Sequence, residues 1–193
     1  MPRINDKLFY SNAIKKHGLT PKGVCWLSHT HQTLRFDIIL SFLPKDISSS
    51  SLVDIGCGFG DFYRYLQIQR KLPISYTPID NIQQMCDITQ QNFKIRALKL
   101  DATKDKLPNS DYYICSGALN ILTPFEVVLF IQNCYRSSKK AFIFNTLYGN
   151  KKSETYNYMK KEDIRDIATS LNVKKIVYEQ NYLDNDITVG FYR

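Results

Sequence analysis

The chain has 193 residues, of which 26 are basic and 18 acidic, giving a formal charge of +8. At 44% hydrophobic, 23% charged and 13% aromatic it has the composition of one globular domain and is too apolar for a disordered chain. The densest apolar runs, 38–43 and 127–131, fall far short of the roughly 20 residues of a membrane span. Residues 1–7 lack an apolar leader core, so a cytoplasmic setting is expected.

The first fifty residues read as helical. Leu8, Phe9, Ala13 and Ile14 are apolar at helix spacing before Gly18, a natural stop. After a loop with Pro21 and Gly23, Ser28 or Thr30 can cap a second helix carrying Leu34, Ile38, Ile39 and Phe42, which Pro44 ends. The polar run 45–50 is linker-like, so 1–50 is expected to form a helical lid or substrate cover and 51–193 the main domain.

From Ser51 strands and helices alternate: strand 52–55, helix 61–69, strand 74–79, helix 83–92, strand 95–100, strand 112–115, helix 124–135, strand 141–144 and helix 162–171. Two final runs, 175–182 and 187–192, are joined by a turn too short for anything but antiparallel neighbours, whereas the helical crossovers imply parallel pairing. The expected fold class is α/β, a Rossmann-like three-layer sandwich with a seven-stranded, mostly parallel sheet and an antiparallel last strand. Pro78 is out of place in an inner strand, because it lacks a ladder donor.

The five cysteines (Cys25, Cys57, Cys86, Cys115 and Cys134) form no CxxC pair and are odd in number, which suits reduced thiols. His17, His29 and His31 have no metal-ligand company, so no metal is expected. Lysine pairs at 15–16, 139–140, 151–152, 160–161 and 174–175 fall at the ends of different elements, as on a solvated surface. An acidic partner such as RNA stays open.

The informative stretch is Asp54-Ile55-Gly56-Cys57-Gly58-Phe59-Gly60-Asp61, a strand running into a glycine turn and then a helix. Glycines there let backbone N–H groups approach a ligand closely. A dinucleotide fingerprint would need Gly where Asp61 stands, and the glycine pair at 18 and 23 is followed by Val24 instead of the phosphate-loop lysine. Asp54, at the strand end, would repel a pyrophosphate and suits a cationic ligand. Asp80 ends the next strand, where a carboxylate can accept both hydroxyls of a ribose.

With these features the chain resembles the class I S-adenosylmethionine-dependent methyltransferases over roughly 51–193, residues 54–60 matching that family's first motif. The resemblance implies S-adenosyl-L-methionine as cofactor, with Gly56, Cys57, Gly58 and Gly60 against its methionine half and Asp80 on the ribose. It further implies Asn81 and Ile82 beside the adenine, Asp101 and Ala102 at the adenine edge, and Ser116 and Gly117 in the loop below the transferred methyl. Residues 23–28 with Gln32, Arg35 and Phe36 resemble the segment before the sheet in small bacterial methyltransferases, where Arg35 could meet the cofactor carboxylate and Trp26 could pack in core or lid.

A methylsulfonium donor needs alignment and dryness more than acid catalysis. His29, His31, Asn120 and Tyr148 are the candidates for a base or for positioning an acceptor, and the segment 147–161, with tyrosines among lysines, for the substrate cover. The expected function is methyl transfer to a small molecule. An RNA methyltransferase and a non-catalytic partner subunit are the alternatives.

Overall fold

The computed structural model describes residues 3–24 and 28–193. Cys25 and Trp26, singled out in the sequence, lie outside the described residues. Helix α1 spans Asp6–His17, capped by the Asn5 side chain and closed by Gly18 at φ 65°. A 3-10 turn (Pro21–Val24) leads toward α2, His29–Phe42, whose N-cap Ser28 accepts from the His31 amide at 3.2 Å.

The alternating part then runs β1 (Ser51–Ile55), α3 (Asp61–Ile68), β2 (Ser75–Asp80), α4 (Gln83–Phe93), β3 (Leu98–Lys99) and β4 (Ser110–Ser116). It continues through a 3-10 turn (Ala118–Ile121), α5 (Pro124–Ser137), β5 (Ser138–Leu147), α6 (Lys161–Ser170), β6 (Lys175–Gln180) and β7 (Asp186–Tyr192). Pro124 at the first helical position and a capping box between Thr123 and Glu126 fix where α5 begins.

Seven strands form one sheet in the order β3-β2-β1-β4-β5-β7-β6, with β7 antiparallel to both its neighbours and the other ladders parallel. The sheet is covered on both faces, and strand alternation sorts the core. Val53, Tyr113, Cys115, Phe142 and Phe144 face the α5–α6 side, while Leu52, Tyr112, Ile114, Ala141 and Ile143 face α2 and α3. The apolar stripe of α2 (Phe36, Ile39 and Leu40) belongs to the second cluster, so this helix is a layer of the sandwich. The part of the N-terminal segment that sits over the sheet end is α1 with the following turn, through Tyr10, Ile14 and Val24 against Phe59, Ile82 and Met85.

Pro78 sits inside β2, paired in register with Asp54. The Ile79 carbonyl accepts from Gly56 on the β1 side and the Asp80 carbonyl accepts from Leu100 on the β3 side. By alternation the Pro78 nitrogen faces β3, which pairs with β2 only at Ile79 and Asp80. The missing donor thus falls where no neighbour asks for it. The same residue explains why the third strand is two residues long, not the six expected over 95–100.

Candidate active site

At the carboxyl ends of β1, β2 and β4 the chain encloses a cavity, and the glycine turn forms its floor. Gly56, Gly58 and Gly60 all adopt positive φ (79°, 54° and 79°). A Cβ on Gly56 would lie 2.6 Å from that of Ala118, so this position must be glycine for packing as well as for conformation. The Gly56 and Cys57 amides both donate to the Ile79 carbonyl, tying the turn to the neighbouring strand.

Asp80 draws the turn and the next helix together. One carboxylate oxygen accepts from the Gly58 amide and the other from the Ile82 amide, both at 3.0 Å. The side chain is buried, which pushes its pKa up to about 6 even though these amides favour the charged form. Asp54 is buried too. It accepts from the Tyr76 hydroxyl at 2.5 Å, and burial, with Asp80 nearby, pushes its pKa up to about 7.

Around these acids the wall collects side chains from distant parts of the chain. Asp61, at the α3 N-terminus, accepts from Gln32 of α2 at 2.9 Å. Asn81 donates to Asp6, and Phe9 and Tyr10 add the apolar side of α1. Arg35 reaches the wall while ion-paired to Asp186. Asp101 is also on the wall, with its carboxylate engaged by its own turn: the Thr103 amide and hydroxyl at 2.9 and 2.6 Å, and the Lys104 ammonium at 3.1 Å. Burial raises its pKa, but these partners outweigh burial and hold it below the ordinary value. Ala102 is fixed beside it by Asn133, which donates to its carbonyl.

After β4, Gly117 at φ 82° turns the chain into the 118–121 turn, and Ser116 accepts from Asn145 at 3.2 Å. The Asn120 side-chain oxygen accepts from the Leu147 amide at 2.9 Å, and its carbonyl accepts from the Asn157 amide at 2.7 Å. Asn120 therefore stitches the end of β5 to the 148–160 segment and brings Tyr156 onto the wall.

Of the cofactor residues expected from the sequence, Arg35, Asp54, Gly56, Cys57, Gly58, Asp80, Asn81, Ile82, Asp101, Ala102, Ser116 and Gly117 line this one cavity. Gly60 lies just behind it, packed on Phe93. Asn120 is on the wall. His29, His31 and Tyr148 are not: His29 faces Thr33 on the outer side of α2, and Tyr148 pairs with Met159. Cys57 is no nucleophile, since burial drives its thiol pKa well up. Tyr156 was readable only as one of several tyrosines in the cover. Gln32 was marked only as part of the segment before the sheet and Asp61 only by its place next to the glycine turn, while Asp6 gave no local signal.

Among the described residues, no basic side chain hydrogen-bonds to Asp54 or Asp80. Two buried carboxylates so placed fit a cationic sulfonium and hydroxyl donors, and would repel a phosphate. No group of three His, Cys, Asp or Glu among the described residues could hold a metal ion, and no helix is long and apolar enough to cross a membrane.

The chain is similar to known proteins in sequence pattern and in fold. Residues 52–141 match the family model described as a methyltransferase domain. No curated protein matches the chain. Among solved structures, the magnesium protoporphyrin IX methyltransferase of Synechocystis with bound SAH is 14% identical at a TM-score of 0.67, the alignment covering 85% of this chain and 83% of that one. An S-adenosylmethionine-dependent methyltransferase from Mesorhizobium loti is 15% identical at 0.63, over 83% and 98%. Human N-acetylserotonin methyltransferase in complex with SAM is 14% identical at 0.65, over 84% and 52%.

Proposed function

We propose that this chain, residues 52–141 of which match a methyltransferase-domain model, is a class I S-adenosylmethionine-dependent methyltransferase that transfers the methyl group to a small molecule carrying an apolar or aromatic part. The observation that carries the cofactor half of this reading is Asp80, whose two oxygens grip the Gly58 and Ile82 amides on the floor of the cavity. S-adenosylmethionine supplies, when bound, a methylsulfonium that needs no further activation.

The chain's own residues bind and orient it. Asp80 takes the ribose hydroxyls, Ile82 and Ala102 flank the adenine, and the amides of the glycine turn border the methionine half. Arg35 meets the carboxylate, and the Asp54 and Asp80 charges favour the cation. Helix α1 and the 148–160 segment exclude water over the site, which makes residues 3–24 the cover. Asn120 holds the acceptor side by fixing Tyr156.

The acceptor class follows from what faces inward. Tyr156, Ile121, Leu122 and Phe130 are on the wall, and among the described residues no lysine is. Lysines near the cover stack instead on tyrosines, Lys151 on Tyr158 and Lys161 on Tyr178, outside the cavity. Surface charge of that kind serves solubility. Cys57, Cys86, Cys115 and Cys134 are free and buried, which favours a reducing, cytoplasmic setting.

The test is transfer of labelled methyl from S-adenosylmethionine into separate pools of small metabolites and RNA. Label in the small-molecule pool is expected. Label confined to RNA, with binding that falls steeply as salt rises, would replace this reading with the RNA one. Binding of the cofactor without transfer to any pool would favour a non-catalytic partner subunit.

A further inference from the structure

Arg35 lines the cavity and pairs with Asp186, 151 residues away in sequence. Arg35 projects from α2, and Asp186 opens β7, where it pairs with Leu147 at the end of β5. The Arg35 Nε donates to Oδ2 of Asp186 at 2.6 Å, and a terminal nitrogen pairs with the same oxygen. The other carboxylate oxygen accepts from the Tyr182 hydroxyl at 3.0 Å, and that hydroxyl lies 2.7 Å from the Thr188 Oγ1. The side chains of Arg35 and Asp186 are 11% and 1% exposed.

A buried ion pair is a poor source of stability, because desolvating two charges cancels most of their attraction. Two apolar side chains between α2 and β7 would hold these elements at least as well. What the pair provides instead is direction. An arginine side chain gives up rotamer freedom when it is fixed, and a ligand binding a loose guanidinium bears that loss itself. Here both oxygens of Asp186 are held, one by Arg35 and one by Tyr182, so the guanidinium is fixed before any ligand arrives.

We infer that the β6–β7 hairpin, through Asp186 braced by Tyr182, is the positioning element that aims Arg35 at the cofactor's carboxylate. This rests on the reading of Arg35 given under the proposed function. Asp186 and Tyr182 are positioning residues, and neither needs to touch the cofactor.

The two roles open to Asp186 predict opposite signs. If it is only a neighbouring negative charge, Asp186→Asn unmasks Arg35 and tightens binding of a carboxylate. If it positions Arg35, the same change loosens that binding. The experiment is calorimetric titration of the wild type, Arg35→Gln, Asp186→Asn and Tyr182→Phe with S-adenosylmethionine and with its decarboxylated analogue. The wild type should prefer the carboxylate-bearing ligand by about tenfold or more, the usual effect of a charged hydrogen bond. Asp186→Asn should lose most of that preference and Tyr182→Phe part of it, with affinity for the decarboxylated ligand held within about twofold, which also reports an intact fold.

Tighter binding of S-adenosylmethionine by Asp186→Asn, or equal losses for both ligands in both variants, would overturn the inference. If Arg35→Gln erases the preference while Asp186→Asn and Tyr182→Phe keep it, the inference falls and the reading of Arg35 stands. If the wild type has no preference, both fall together.

Discussion

Replacing Asp80 by Asn separates binding from stability. Asp80 is 7% exposed, and its carboxylate accepts from two backbone amides at 3.0 Å. Its pKa is pushed up to about 6 from the ordinary 3.8, so above pH 7 the folded protein bears an ionisation cost of about 3 kcal/mol. Asn removes that cost and keeps one acceptor, but its NH2 then faces an amide that it cannot satisfy, a loss of about 1–3 kcal/mol. The two effects nearly cancel, and the melting temperature at pH 8 should change by only a few degrees. Cofactor binding has no such compensation. In the proposed site a charged acceptor for the ribose hydroxyls is lost, and affinity for S-adenosylmethionine should fall by about 1.5–3 kcal/mol, roughly tenfold to 150-fold in a calorimetric titration. An unchanged dissociation constant would remove Asp80 from the site. A collapse of the melting temperature with affinity intact would show that its work is only to hold the glycine turn.

The two raised acids also predict how the ligand-free protein answers to pH. Because folding raises the pKa of Asp54 to about 7 and of Asp80 to about 6, their contribution is fully present below about pH 4 and is lost as pH rises through 6 to 7. The melting temperature should therefore drop between pH 5 and 8 from these groups, while affinity for the cationic cofactor rises over the same range. Affinity that is flat from pH 5.5 to 8 would contradict the electrostatic role. Gly56→Ala should destabilise by more than Gly58→Ala: both carry a left-handed φ costing about 1–2 kcal/mol, but only at Gly56 does the new Cβ strike another, at 2.6 Å. Equal melting temperatures for the two variants would refute this. Arg193 donates to the carbonyls of Ser138, Tyr135 and Arg136 and lies over the Tyr135 ring, closing the end of α5. Arg193→Ala should cost about 1–3 kcal/mol in denaturant unfolding, and a midpoint within error of wild type would count against it.

What was legible in the sequence was what is local along the chain. The strand, glycine turn and helix at 51–68 are neighbours in sequence, and Asp80 follows one crossover later, so spacing alone predicts that they meet at one sheet edge. The short apolar runs Tyr112 to Cys115 and Ala141 to Phe144 likewise forecast buried strands, although β5 runs ten residues because Ser138 and Asn145 find ladder partners that apolarity does not reveal. The third strand was overestimated, because whether residues 95–97 pair depends on the edge beside Pro78. The rest of the site depends on paths through space. Nothing near Arg35 announces Asp186, and nothing near Gln32 announces Asp61. In the cover, composition pointed to tyrosine without saying which one, and the Asn120–Asn157 link decides for Tyr156 over Tyr148. The histidines at the start of α2 illustrate the same limit. His29 meets Thr33 on an exposed turn and neither histidine reaches the cavity wall, whereas Gln32 and Arg35 of the same helix do.

The most direct measurement is a crystal structure grown with S-adenosylhomocysteine. Density for the ribose hydroxyls within hydrogen-bond distance of Asp80, the purine between Ile82 and Ala102 and the carboxylate on Arg35 is the expected result. Ligand density elsewhere, or a well-ordered protein with no ligand at saturating concentration, would contradict the account.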